Sequence, residues 1–291
     1  MRIVLSRKGY DSASGGVPSP IFSDGTLCSL PIPSNDTTHL DHIRVDGRPL
    51  DTIVEQLAGP DLAASPVHLD PDLDFRARPR PPGWLPCFGQ VGSSQTHLAN
   101  RRVGLGDLFL FFGWFRRVER DHGRYRYRLN APDLHCIFGW LQVGAIYRPG
   151  TADAPAPQWT SDHPHVEGAE RYLSEGANNT LYVAAEGLRL PGLRRPVAGG
   201  GVFRHFEPRL QFTAAGRQRG LWRLPASFRP RPGLPTLSYH SDTRRWRDDG
   251  DDVLLQTVGR GQEFVLDCDG YPEIYDWLRG LMVAAPTSAS T

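Results

Sequence analysis

Short apolar runs broken by turn residues dominate the chain. Arg2–Ser6, led by Ile3, Val4 and Leu5, predicts a buried strand, and a loop with Gly9, Asp11, Gly15 and Gly16 follows it. Residues 19–33 read as a hairpin around Asp24-Gly25. Asp51–Leu57 predicts a short helix closed by Gly59-Pro60, and Asp61–Pro86 a long ordered loop. Ser94–Arg101 predicts a helix and Gly106–Phe115 a strongly apolar strand. Val118–Leu129 predicts a hairpin turning at Asp121-His122-Gly123. His135–Tyr147 predicts a second core strand, kinked at Gly139 and Gly144. Further on, a short helix near residues 163–173, a strand near 178–184, several short strands and a last helix over Tyr271–Met282 are expected. Residues 284–291 read as a frayed small-polar tail. Strands and helices do not alternate regularly, so a doubly wound fold is disfavoured. A β-rich α+β fold in one domain, residues 1–291, with short helices and long loops, is expected.

Composition narrows the function classes. Of the 291 residues, 33 are basic and 32 acidic, so bulk polyanion binding is excluded and any nucleic-acid contact must come from a local patch. Gly (31) and Pro (26) make up roughly a fifth of the chain, which favours strands joined by turns. The four cysteines are scattered without a CxxC pair, which predicts reduced, buried thiols. No apolar run reaches the ~18 residues of a membrane span, and the first residues lack a signal-peptide pattern, so a cytoplasmic protein is expected. Lys8 is the sole lysine among 32 arginines, and a lysine, unlike arginine, can serve as a base or a compact point charge.

Common nucleotide-binding and hydrolase signatures are absent: no P-loop, no dinucleotide fingerprint, no Gly-x-Ser-x-Gly and no His-Glu-x-x-His. The positive signals are local. In Arg7-Lys8-Gly9-Tyr10-Asp11-Ser12, Arg7 and Lys8 suit a phosphate or carboxylate, and Asp11 can orient either. Lys8, Asp11 and Asp70 are the catalytic candidates. In His68-Leu69-Asp70-Pro71-Asp72, alternating imidazole and carboxylate groups can share one face and converge on a cation. His68, Asp70, His97 and His135 are the leading ligand candidates, and His163 and His165 are further residues able to complete such a site. A divalent metal such as iron is the cofactor it would take. The hairpin at 114–129 carries six arginines, a basic patch able to follow a phosphate backbone or to protect a sheet edge. For a base pocket, Trp114 and Trp140 offer stacking faces, Gln142, Asn178 and Asn179 offer base-edge readers, and Asp107 an acceptor for an amino group.

The segment 90–150, with a helix running into Gly106-Asp107 and an apolar strand, then Phe138-Gly139-Trp140-Leu141-Gln142-Val143, resembles PUA-like domains of the EVE and ASCH kind. That resemblance implies a β-barrel core with a pocket for a nucleobase, often a modified one. The chain as a whole resembles the nucleotide modification associated domain 3 family. Residues 5–12, 68–73, 106–115, 135–144, 178–182 and 260–269 carry that likeness. It implies a link to nucleotide or DNA-base modification and to the enzymes of such systems, and supplies no catalytic residue. Two classes therefore stay open. One is a protein that binds or processes a modified nucleobase in a PUA-like pocket, on a nucleotide or on DNA. The other is a metal-dependent oxidase or hydroxylase of the non-haem iron type, acting on a nucleotide or another small molecule.

Overall fold

The structure is a computed structural model that describes residues 1–152, 154–172, 178–259 and 261–286. Among these residues the largest element is a mixed nine-stranded sheet. Its main path runs Glu263–Asp267, Arg2–Arg7, Leu108–Asp121, Leu134–Tyr147, Thr180–Ala184, Cys87–Gln90. Arg2–Arg7 lies parallel to Leu108–Asp121, and the other neighbours on this path are antiparallel. Ser19–Ile21 and Arg124–Tyr127 pair with Leu108–Asp121, and Gly200–Val202 with Leu134–Tyr147. A three-stranded sheet, Leu221–Pro225, Asp252–Gln256 and Trp246–Asp249, packs beside it.

The run Phe109-Leu110-Phe111-Phe112 is apolar on both faces because both faces are covered. Phe109 and Phe111 meet Phe88 on one side, while Phe112 meets Phe212, Trp222 and Phe264 on the other. The second core strand changes register between Ile137 and Gly139 and again between Val143 and Ala145. These irregularities lie at the two glycines that predicted kinks. The hairpin turn falls at His122-Gly123, both with positive φ, as a tight two-residue turn requires. Arg124 and Arg126 face outward, and Tyr125 and Tyr127 pack on a second apolar cluster built around the helix Leu50–Ala58.

The barrel expected from the PUA-like resemblance is not found. No ladder joins the two ends of the described sheet. The ends meet through side chains: Gln90 Nε2 donates to Glu263 Oε1 over 2.7 Å. After Gln90 the chain turns into the helix Gly92–Asn100, which packs against Glu263–Asp267 and occupies the place where backbone pairing would close a barrel.

All four cysteines are free and buried. No helix among the described residues is long and apolar enough to cross a membrane. Of the expected frayed tail, Ala284 is half-buried, Ala285 buried and Pro286 exposed, and residues 287–291 lie outside the described residues.

Candidate functional site

A cluster of imidazole and carboxylate groups assembles from three separate segments. His68 ends the short strand Val67–His68, which pairs with Ile32–Pro33. Asp70 follows on the same turn, its N–H donating to the His68 carbonyl. His163 and His165 come from His163-Pro164-His165, where Pro164 opens a short helix. Asp36 sits in the loop after Ile32–Pro33.

Asp70 is the centre. Its Oδ1 accepts from the Gly89 N–H (2.7 Å) and lies 3.3 Å from His163 Nε2. Its Oδ2 lies 3.9 Å from His68 Nε2 and 4.0 Å from His165 Nε2. One suitable atom from each of His68, Asp70 and His165 falls within 4.8 Å of the other two. The approach depends on a missing side chain, since a Cβ on Gly89 would stand 2.2 Å from the His165 ring.

The far side of each ring is tied down. His68 Nδ1 contacts Asp36 Oδ2 at 2.7 Å, and Asp36 also accepts from Ser34 and Arg171. Burial pushes the Asp36 carboxyl up, but its hydrogen bonds to His68, Arg171 and Ser34 outweigh this and hold it well below the usual range. It is therefore an acceptor, and His68 Nδ1 carries the hydrogen. His165 Nδ1 contacts Asn179 Oδ1 at 2.7 Å, while Asn179 Nδ2 donates to the His165 carbonyl at 2.8 Å. Because that carbonyl can only accept, it fixes which way the carboxamide points, and His165 Nδ1 carries the hydrogen. Burial pushes the Asp70 carboxyl up too, yet His163, His165 and His68 bring it down to about 2. Burial brings His165 down to about 4, so its imidazole is neutral at pH 7.

The cluster forms the floor of a cleft of about 580 Å³, a size that admits a nucleotide. One wall is the loop after the first strand, with Arg7, Lys8, Gly9 and Asp11, and Arg171 and Tyr172 also line the cleft. Lys8 Nζ holds the buried Glu263 at 2.9 Å and lies over the Phe88 ring. Arg7 donates to the carbonyls of Val258 and Gly259. Asp11 Oδ1 accepts from the N–H groups of Ala13 and Ser14 and closes the loop on itself. Behind Asp70 lies an apolar cavity of about 90 Å³, too small for a nucleotide.

The model of the nucleotide modification associated domain 3 family matches residues 2–267. The chain belongs to that family. No curated protein and no solved structure matches it.

Not all residues that the sequence singled out meet in this family member's cleft. Arg7, Lys8, Asp11, His68 and Asp70 do. Asn179 lies behind the cleft, where it orients His165 rather than reading a base. Asn178 caps the helix Gly92–Asn100 by bonding the Gly92 N–H and carbonyl. His97 is elsewhere, bonded to Ser238 and stacked on Tyr239. His135 is enclosed by Phe112 and Trp222, and its Nδ1 accepts from Trp222 Nε1, so no coordinating atom of it reaches the cluster.

Trp140 and Gln142 do not share the expected base pocket: Gln142 borders a separate groove of about 710 Å³ whose lining does not include Trp140. Trp140 is buried against Phe203 and donates to the Ala198 carbonyl. Gln142 spends its amide on Gly106 and Arg189. Asp107 accepts from the N–H groups of Arg2 and Gly104. Trp114 lies under the Arg219 guanidinium. Gly89, Asp36 and Glu263 were not legible as site residues, since a lone Gly or carboxylate carries no pattern of its own. The His-Pro-His triplet did carry a signal, for it repeats the histidine and proline character of residues 68–72.

Proposed function

We propose that the protein acts on a nucleotide or a modified nucleobase within a nucleotide modification system, with the substrate in the 580 Å³ cleft and its reacting atoms over Asp70, His68 and His165. The observation that carries this reading is the convergence of one buried carboxylate and oriented imidazoles at the floor of a nucleotide-sized cleft, in a chain of this family. Buried titratable groups with strongly shifted pKa values, gathered in a cleft, favour catalysis over recognition alone. A neutral His165 keeps an unprotonated ring nitrogen available at pH 7. Arg7, Lys8 and Arg171 line the cleft and supply cationic partners for a phosphate.

The test is a panel of nucleosides, nucleotides and short DNA with modified bases, incubated with the protein and followed by mass spectrometry, with binding measured in parallel. Each substrate is tried with divalent metals and with a chelator. Conversion by the parent that is lost in His68→Ala supports the reading. If no member of the panel binds or is converted, or if His68→Ala works as well as the parent, the reading falls.

A further inference from the structure

The floor of the cleft has a feature that acid–base chemistry does not account for. His68 and His165 both carry their hydrogen on Nδ1, bonded outward to Asp36 and Asn179. In the neutral rings each Nε2 therefore presents a lone pair inward. Asp70 is turned the same way: Gly89 and His163 occupy the side of Oδ1, which leaves Oδ2 facing the two Nε2 atoms. His163 cannot join them as a donor atom, because its Nδ1 accepts from the His165 N–H and its Nε2, 3.3 Å from Asp70 Oδ1, therefore keeps the hydrogen. With both rings neutral, three electron-rich atoms face one another with no hydrogen between them. At 3.9 and 4.0 Å the Asp70 contacts are too long for hydrogen bonds. Two donors each ~2.1 Å from one ion lie roughly 3–4.2 Å apart, depending on the angle between them. The two Asp70 separations lie at the wide end of that interval, so the rings close in on the ion to reach the ~3 Å spacing of donors at right angles.

We propose that His68, Asp70 and His165 bind one divalent first-row transition metal, iron(II) foremost, through His68 Nε2, His165 Nε2 and Asp70 Oδ2. Two imidazoles and one carboxylate on one side of an ion, with the other side open, are the donor set of non-haem iron sites. Here the open side is the cleft, where substrate and solvent would complete the coordination. Asp36 and Asn179 are positioning residues: they set each tautomer and fix each ring, as hydrogen-bonded partners of metal-bound histidines do. The proposal deepens the reading above and rests on it only in placing the reaction at the same cleft.

Metal binding is tested without any nucleotide. The full chain, stripped with a chelator and checked for folding by circular dichroism, is titrated with cobalt(II) under visible absorption and with iron(II) anaerobically by calorimetry. One ion per chain is expected. Affinity should fall by more than ~10-fold in His68→Ala and His165→Ala, and by ~10–100-fold in Asn179→Ala, which removes no ligand. His68 lies toward the cleft, so His68→Ala carries the test if the His165 variant does not fold. Absence of saturable binding, or equal binding by His68→Ala, overturns the proposal. Conversion of a nucleotide in the presence of chelator would sink the metal centre and leave the nucleotide reading standing. Metal binding with no nucleotide bound or converted would do the reverse.

Discussion

Gly89→Ala is the sharpest perturbation of the site, because it adds one methyl group and changes no charge. The Cβ would stand 2.2 Å from His165 Cγ and Cδ2 and 2.8 Å from Nε2. Carbon atoms in contact sit about 3.5–4.0 Å apart, so the ring must retreat by roughly 1.3–1.8 Å. That displacement breaks its 2.7 Å contact with Asn179 and carries Nε2 away from Asp70. Overpacking costs about 1–3 kcal/mol, and leaving a buried polar group unpaired costs a further ~1–3 kcal/mol. A combined loss of about 2–6 kcal/mol is expected, or roughly 4–12 °C in melting temperature for a chain this long. Gly89 does not have a left-handed φ, so the backbone itself accepts alanine. Gly104→Ala is the matched control, since its Cβ would meet only the Arg102 carbonyl, at 4.0 Å. Calorimetric melting gives the stability, and a cobalt titration of the same samples reads the site. If Gly89→Ala melts within ~1 °C of the parent and binds cobalt equally well, the packing argument for His165 is wrong.

Further outcomes are expected elsewhere. Lys8→Met leaves the buried Glu263 carboxylate with Gln90 as its remaining partner and should cost about 3–5 kcal/mol in chemical unfolding. Adding Glu263→Gln should restore most of that loss, and no restoration would mean that Lys8 does not act through Glu263. Gln142→Ala should cost about 2–4 kcal/mol through its lost bonds to Gly106 and Arg189. Nucleotide affinity should not change, and a selective loss of affinity would return Gln142 to the site. Burial holds His240 down to about 4 against its bond to the Ser238 carbonyl. The unfolded chain takes up this proton near pH 6.5 and the folded one only near pH 4. Stability should therefore fall as pH drops through that window, by at most about 3 kcal/mol from this residue. His240→Gln should flatten the slope, and an unchanged slope would assign it to other groups.

Local chemistry was legible wherever neighbours in sequence decide the outcome. The strands at Arg2–Arg7, Leu108–Asp121 and Leu134–Tyr147, the glycine kinks in the last of these, and the His122-Gly123 turn follow from apolar runs and from residues that tolerate unusual backbone angles. His68 and Asp70 were legible as a pair from their spacing, although a tight turn, and not the shared face of an extended segment, brings them together. Long-range partners were not. His97 and His165 look equally eligible in sequence, but one stacks on Tyr239 and the other reaches Asp70. His135 carries the same imidazole, yet the aromatic core encloses it. Sheet order places Gly89 behind His165, and the loop after Ile32–Pro33 delivers Asp36 to His68. The sequence by itself determined which side chains are chemically able to form the site. Only the tertiary structure decided which of them meet, because hydrogen bonding and coordination act over a few ångströms while residues such as Asp36 and His165 are 129 positions apart along the chain.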